Sequence, residues 1–150
     1  HATADLFQQR VCVVCRHADQ AAAADRVAGF WRQIGMQIRF MSAAEHDRVL
    51  ARTSHLPHVL ASVAAGCVSD SELEFTGTGF RDTTRIAAGS AEIWSSILLQ
   101  NREACLNAID AASGVLAAFR DAIERADSER LSDLWNSAAA RRRRLDDPGT

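Results

Sequence analysis

"FMSAAEHDRVLARTSHLPHVLASVAAG", residues 40–66, decides how this chain divides. Up to Met41 the apolar residues alternate, as in "MQIRFM" at 36–41, and from Ser42 they recur every three or four positions through Val49, Leu50, Leu56, Val59, Leu60 and Val63. A period of two marks a strand and a period near 3.6 marks a helix. Ser42 followed by Glu45 has the wording of a capping box, which opens the helix, and Gly66 closes it. Pro57 interrupts the run. It has no N–H, so the carbonyl of Thr53 loses its helical partner and the ring pushes that turn open, exposing polar backbone near His55 and His58.

Working outward to the N-terminal side, "VCVVC" at 11–15 reads as a short buried strand. Asp19 is placed to cap a helix with Ala23, Val27, Phe30, Trp31 and Ile34 on its apolar face, Gly35 ends it, and "MQIRFM" returns as a strand. A strand, a crossover helix and a strand normally belong to a larger parallel sheet, because parallel strands are buried on both faces. Residues 1–41 therefore read as the tail of an α/β domain, and 42–150 as a helical domain.

On the C-terminal side, residues 67–79 read as a Ser-, Gly- and Thr-rich loop, and Phe80–Ala88 as a short helical segment. Ser90 then caps a helix whose apolar stripe runs through Trp94, Ile97, Leu98, Cys105, Ala108, Ile109, Ala112, Leu116, Phe119 and Ile123. The spacing holds across Ser113 and Gly114 and so predicts one helix rather than two, roughly 50 Å long at ~1.5 Å per residue. A helix of that length packs against something beyond its own chain. Asp127 caps a last helix through Leu131, Leu134 and Trp135 that ends in "RRRR" at 141–144, and Asp146–Thr150 read as a frayed end.

The composition, 47% hydrophobic and 24% charged over 150 residues, is that of an ordered soluble domain, and no apolar run reaches the ~18 residues of a membrane span. The formal charge of −2 argues against nucleic acid as a partner; "RRRR" reads as a solvated helix end, and the absence of Lys as a bias of genome composition. With no secretory signal, the four Cys at 12, 15, 67 and 105 are expected as reduced thiols in a cytoplasmic protein. Cys12 and Cys15 form a C-x-x-C, but in an apolar strand rather than at a turn, and no second pair completes a site, so no metal is expected.

The chemistry is concentrated in two stretches. His55 and His58, three apart on a helix, lie on one face and can point into one cleft with Ser54 beside them. Such a pair could bind a metal, serve as acid and base, or hydrogen-bond an anion; equally, one could be a satisfied core histidine and the other a surface one. Asp82 and Arg85 stand three apart after a Gly-rich approach. The guanidinium can match a carboxylate with two hydrogen bonds, and Asp82 can orient it or pair with a histidine. The plainer reading is an exposed ion pair worth roughly a few tenths of a kcal/mol.

Together, "EHDRVLARTSHLPHVLA" at 45–61, "GTGFRDTTRIAAGSAEIW" at 77–94 and "LLQNREA" at 98–104 resemble the helical C-terminal half of prephenate dehydrogenases, including their arogenate-using relatives. "ADLFQQRVCVV" and "GFWRQIGMQIRFMSAAEHD" resemble the last strand-helix-strand of that family's nucleotide-binding domain. The resemblance implies a mainly α fold: a helical dimerisation domain of the 6-phosphogluconate dehydrogenase C-terminal-like type, preceded by a β-α-β remnant of a Rossmann domain. The implied activity is the oxidative decarboxylation of prephenate to 4-hydroxyphenylpyruvate with NAD or NADP, in tyrosine biosynthesis, by a homodimer of intertwined long helices. Prephenate or arogenate is the implied substrate and tyrosine a candidate inhibitor. Carried over, Arg85 clamps a substrate carboxylate, Ser54, His55 and His58 line the pocket, Asp82 supports the polar network, and Trp94 approaches a site from the partner subunit.

Two departures limit this. No G-x-G-x-x-G follows a strand, so the pyrophosphate cradle is missing and neither NAD nor NADP is expected on this chain alone. The family's catalytic histidine belongs to a motif well upstream of "ADLF", and His1 stands too close to Leu6 to be it. The chain thus reads as a fragment or truncated product holding the dimerisation and substrate-binding half, with no catalysis expected in isolation. The alternative is an inactive helical dimerisation module with a vestigial pocket.

Overall fold

The computed structural model describes residue 3 and residues 5–146; His1 and the end of the chain beyond Asp146 lie outside them. Two compact units form, His1–Cys105 and Leu106–Thr150.

The first unit opens with β1 (Val11–Cys15), α1 (Ala21–Gln33) and β2 (Gln37–Met41), the strands pairing in parallel with Cys12 opposite Ile38 and Val14 opposite Phe40. The β-α-β reading therefore holds. The face α1 buries is not the one expected: Ala24 and Ala28 close on Val14, Cys12 and Ile38, while Ala23, Val27 and Phe30 are exposed. Two alanines let the helix lie close on a two-stranded sheet, and the larger side chains flank the contact. Asp19 is not a cap either; it lies within a 3-10 turn, Ala18–Gln20, and the Gln20 that precedes α1 makes no capping bond. Gly35 ends α1 as expected, at φ +91°, with its N–H on the Arg32 carbonyl at 3.0 Å.

The switch at Ser42 falls where it was read, with the serine half of the expected capping box formed among the described residues. The Ser42 hydroxyl accepts from the Glu45 N–H at 3.1 Å and starts α2 (Ala43–Leu50). The chain then continues through a π turn, Ala51–His55, into α3 (Leu56–Gly66). Pro57 thus acts one turn earlier than a simple kink would. The Leu56 N–H reaches back five residues to the Ala51 carbonyl, and the wide turn absorbs the donor that proline lacks.

Within the expected loop a 3-10 segment forms at Asp70–Phe75, fastened by the Glu72 carboxylate, which accepts from the Ser69 N–H at 2.8 Å and from its hydroxyl. Those bonds favour the ionised form and hold the Glu72 carboxyl below its usual range. The wording "SDSE" repeats the signal at Ser42 and could have been read the same way. Next come α4 (Thr78–Thr84), a 3-10 turn Arg85–Ala88, and α5 (Ala91–Gln100), which starts where the Ser90 hydroxyl accepts from the Ile93 N–H at 3.4 Å.

Helix continues unbroken across Ser113 and Gly114 as expected, but the single long helix from Ser90 does not form. Asn101 departs from helical geometry at φ −111°, ψ 36°, and a second helix, α6 (Arg102–Glu124), follows. The apolar spacing survives the break, and so it could not reveal it. Asn101 instead donates its side-chain amide to the Asp47 carbonyl, 54 residues earlier in the chain, at 2.8 Å. In the second unit Asp127 accepts from the Arg130 N–H at 2.8 Å and caps α7 (Ser128–Arg143), whose Trp135 meets Phe119 edge to face at 6.4 Å. The Arg run ends α7 in solvent, with Arg142 on Asp146 at 2.7 Å.

Candidate functional site

The distorted helix and the two segments after the Gly-rich approach build one cavity. It measures about 430 Å³ and is lined by His58, Val59, Ser62 and Val63 of α3, Ile86 and Ala87 of the 3-10 turn, and Gly89, Ala91, Trp94 and Leu98 at and within α5. None of these carries a formal charge at neutral pH apart from what His58 can gain. The Trp94 indole stacks on the His58 ring, centroids 3.5 Å apart and planes 27° from parallel. Its position depends on Gly89: a β-carbon there would stand 2.7 Å from the indole nitrogen and 2.9 Å from Cδ1.

The two histidines do not share this cavity. His58 lines it, and its Nδ1 sits 3.0 Å from the Ser54 carbonyl. His55 is buried, 9% exposed, and turns its Nδ1 to the Asn101 amide nitrogen at 3.3 Å and the Cys105 sulfur at 3.4 Å. The π turn separates two side chains that a regular helix would have kept on one face. Trp94 still touches both, meeting the His55 ring edge to face at 6.4 Å. Burial lowers the pKa of His55, helped by His46 and His58 and opposed by Asp47, and burial raises that of the Cys105 thiol.

Asp82 on α4 and Arg85 at the head of the 3-10 turn are both exposed, and neither makes a side-chain hydrogen bond or ion pair among the described residues. Ser54 is half-buried and contributes its carbonyl, not its hydroxyl. The residues the sequence reading passed over are Asn101 and Cys105. An Asn inside an apolar stripe was the available signal.

Of the two Cys in β1, Cys12 packs under α1 and Cys15 is exposed; three apart on a strand they face opposite sides, so they cannot act as a pair. No cluster of three or more His, Cys, Asp or Glu suited to a metal occurs among the described residues. No helix among them is long and apolar enough to cross a membrane.

The family model described as the prephenate dehydrogenase dimerization domain matches residues 42–136, from the Ser42 cap into α7. The chain belongs to the prephenate dehydrogenase family. It is 36% identical over 143 residues to a cyclohexadienyl dehydrogenase of Zymomonas mobilis, covering 90% of this chain and 49% of that protein. It is 35% identical over 104 residues to a prephenate dehydrogenase of Bacillus subtilis, covering 65% of this chain and 28% of that one. The chain thus spans about half, or less, of the curated relatives it matches.

Solved structures agree in fold. A prephenate dehydrogenase from A. aeolicus, in complex with hydroxyphenyl propionate and NAD+, superposes with a TM-score of 0.82 at 24% identity, over 94% of this chain and 52% of that one. An arogenate dehydrogenase from Synechocystis gives 0.83 at 20% identity, over 94% and 54%. The cavity and the two sequence stretches that led to it all lie inside the segment that the prephenate dehydrogenase family model matches.

Proposed function

We propose that this chain is the substrate-binding and dimerisation half of an NAD- or NADP-dependent prephenate or arogenate dehydrogenase of the cytoplasm, with residues 1–41 ending the nucleotide-binding domain and 42–150 forming the helical one. The reaction is the oxidative decarboxylation of prephenate to 4-hydroxyphenylpyruvate, on the way to tyrosine. The observation that carries the reading is the His58–Trp94 cavity, in a family segment with an unpaired guanidinium at Arg85, the residue directly before the Ile86 and Ala87 that line it.

The residues divide the work by polarity. Val59, Val63, Ile86, Ala87 and Leu98 offer an apolar wall to a six-membered ring. The planar fork of Arg85, which has no side-chain partner among the described residues, is free to take a carboxylate. His55 stays neutral and braces the wall from behind.

The dinucleotide is a different matter. The link from β1 to α1, Arg16–Gln20, has no glycine, and α1 begins with four alanines and no phosphate-cradling turn. These residues do not fit NAD or NADP, so no step is assigned to the cofactor on this chain.

Calorimetry with prephenate tests the reading directly. Saturable binding is expected; heats no larger than dilution would favour the inactive dimerisation module with a vestigial pocket. In a complete dehydrogenase carrying these residues, Arg85→Ala should raise KM by tenfold or more, the loss of about 1.4 kcal/mol or more of binding, while the dimer persists.

A further inference from the structure

The hydrogen bonds around the two imidazoles fix which nitrogen of each ring carries the proton. The Asn101 side-chain nitrogen lies 2.8 Å from the Asp47 carbonyl, and a carbonyl can only accept, so the amide is oriented with its NH2 group toward α2. That same NH2 group faces His55 Nδ1 at 3.3 Å, which makes Nδ1 the acceptor and puts the ring proton on Nε2. The Cys105 thiol at 3.4 Å, kept as S–H by its burial, adds only a second donor to the same nitrogen.

His58 is held the opposite way. Its Nδ1 is 3.0 Å from the Ser54 carbonyl, so the proton is on Nδ1 and Nε2 keeps its lone pair. Neither Nε2 has a protein partner among the described residues, and neither is sealed from solvent.

We propose that Asn101 and the Ser54 carbonyl are positioning groups that hold His55 and His58 in opposite neutral tautomers. His55 Nε2 is then a donor and His58 Nε2 an acceptor, so the two neighbouring rings present opposite hydrogen-bonding characters. Groups that face these rings and could disturb the arrangement are His46 and Asp47 of α2, Asn101 between α5 and α6, and Cys105 of α6.

Long-range 1H–15N NMR of the ligand-free, 15N-labelled chain, at a pH where both rings are neutral, reads the four ring nitrogens. Expected are a pyrrole-like Nε2 in His55 and a pyridine-like Nε2 in His58; the reverse pattern in either ring overturns the proposal. Asn101→Asp, whose carboxylate can only accept, should move the His55 proton to Nδ1 and leave His58 unchanged; a His55 ring that keeps its tautomer would remove Asn101 from the role. If that variant fails to fold, the unsubstituted chain still decides.

Discussion

Three positions show how much single residues decide. Ala126, after α6, sits at φ 52°, with its N–H on the Ile123 carbonyl at 3.0 Å and that of Asp127 on the Ala122 carbonyl at 2.9 Å. This is the left-handed closure that glycine fills at no steric cost. Ala126→Gly should raise stability by about 1 kcal/mol, read from the denaturant midpoint. Gly89 shows the reverse: Gly89→Ala should drive the indole off His58, cost about 1 kcal/mol or more, and alter Trp fluorescence. An unchanged spectrum would contradict the close approach described above. His55, with its pKa lowered by burial, makes stability depend on pH. Above pH 6.5, its ordinary value, neither state carries the proton. As the pH falls below it, the unfolded ring is protonated first and stability drops, until the pH passes the lowered folded-state value and the folded ring takes up its proton as well. His55→Gln should flatten that limb of the curve.

At the scale of elements, the sequence was most legible where chemistry is local. Ser42, Ser90 and Asp127 each accept the bond their position promised, because a cap needs only its own first turn. It was least legible where a remote partner decides. The break at Asn101 exists because its amide reaches the Asp47 carbonyl, 54 residues away, and no periodicity records that. The same holds for His55: spacing put it beside His58, whereas the π turn and the pull of Asn101 and Cys105 took it inside. Asn101→Ala should cost about 1 kcal/mol, the usual net contribution of a lost hydrogen bond, and hydrogen exchange should speed up at the end of α2 and in the π turn. Protection equal to that of the unsubstituted chain would mean that the tie carries no weight.

For the whole molecule, the change of period at Ser42 gave the fold class, and the wording of 45–104 gave the family. What remained hidden is how much apolar surface each unit leaves open. Leu116 and Trp135 are 68% and 71% exposed in the second unit, where Leu116, Phe119 and Ile123 border a shallow hollow of about 380 Å³. Monomeric proteins seldom show contiguous apolar patches of this kind, and in a dimerization-domain family a second copy is the expected cover. Leu116→Glu should therefore leave the circular dichroism unchanged and shift sedimentation velocity from dimer to monomer. A variant that still sediments as a dimer would place the contact elsewhere.

The parallel pair of β1 and β2 has a further consequence, for handling. Among the described residues each strand has a neighbour on one side only, and "VCVVC" carries no charge along its length. Such a ribbon offers unpaired N–H and C=O groups to any other chain, the route by which concentrated preparations gel or form fibrils. Arg10 and Arg16 flank it as gatekeepers, so exchanging either for a neutral residue would shorten the shelf life of the purified chain well before it changed the melting temperature.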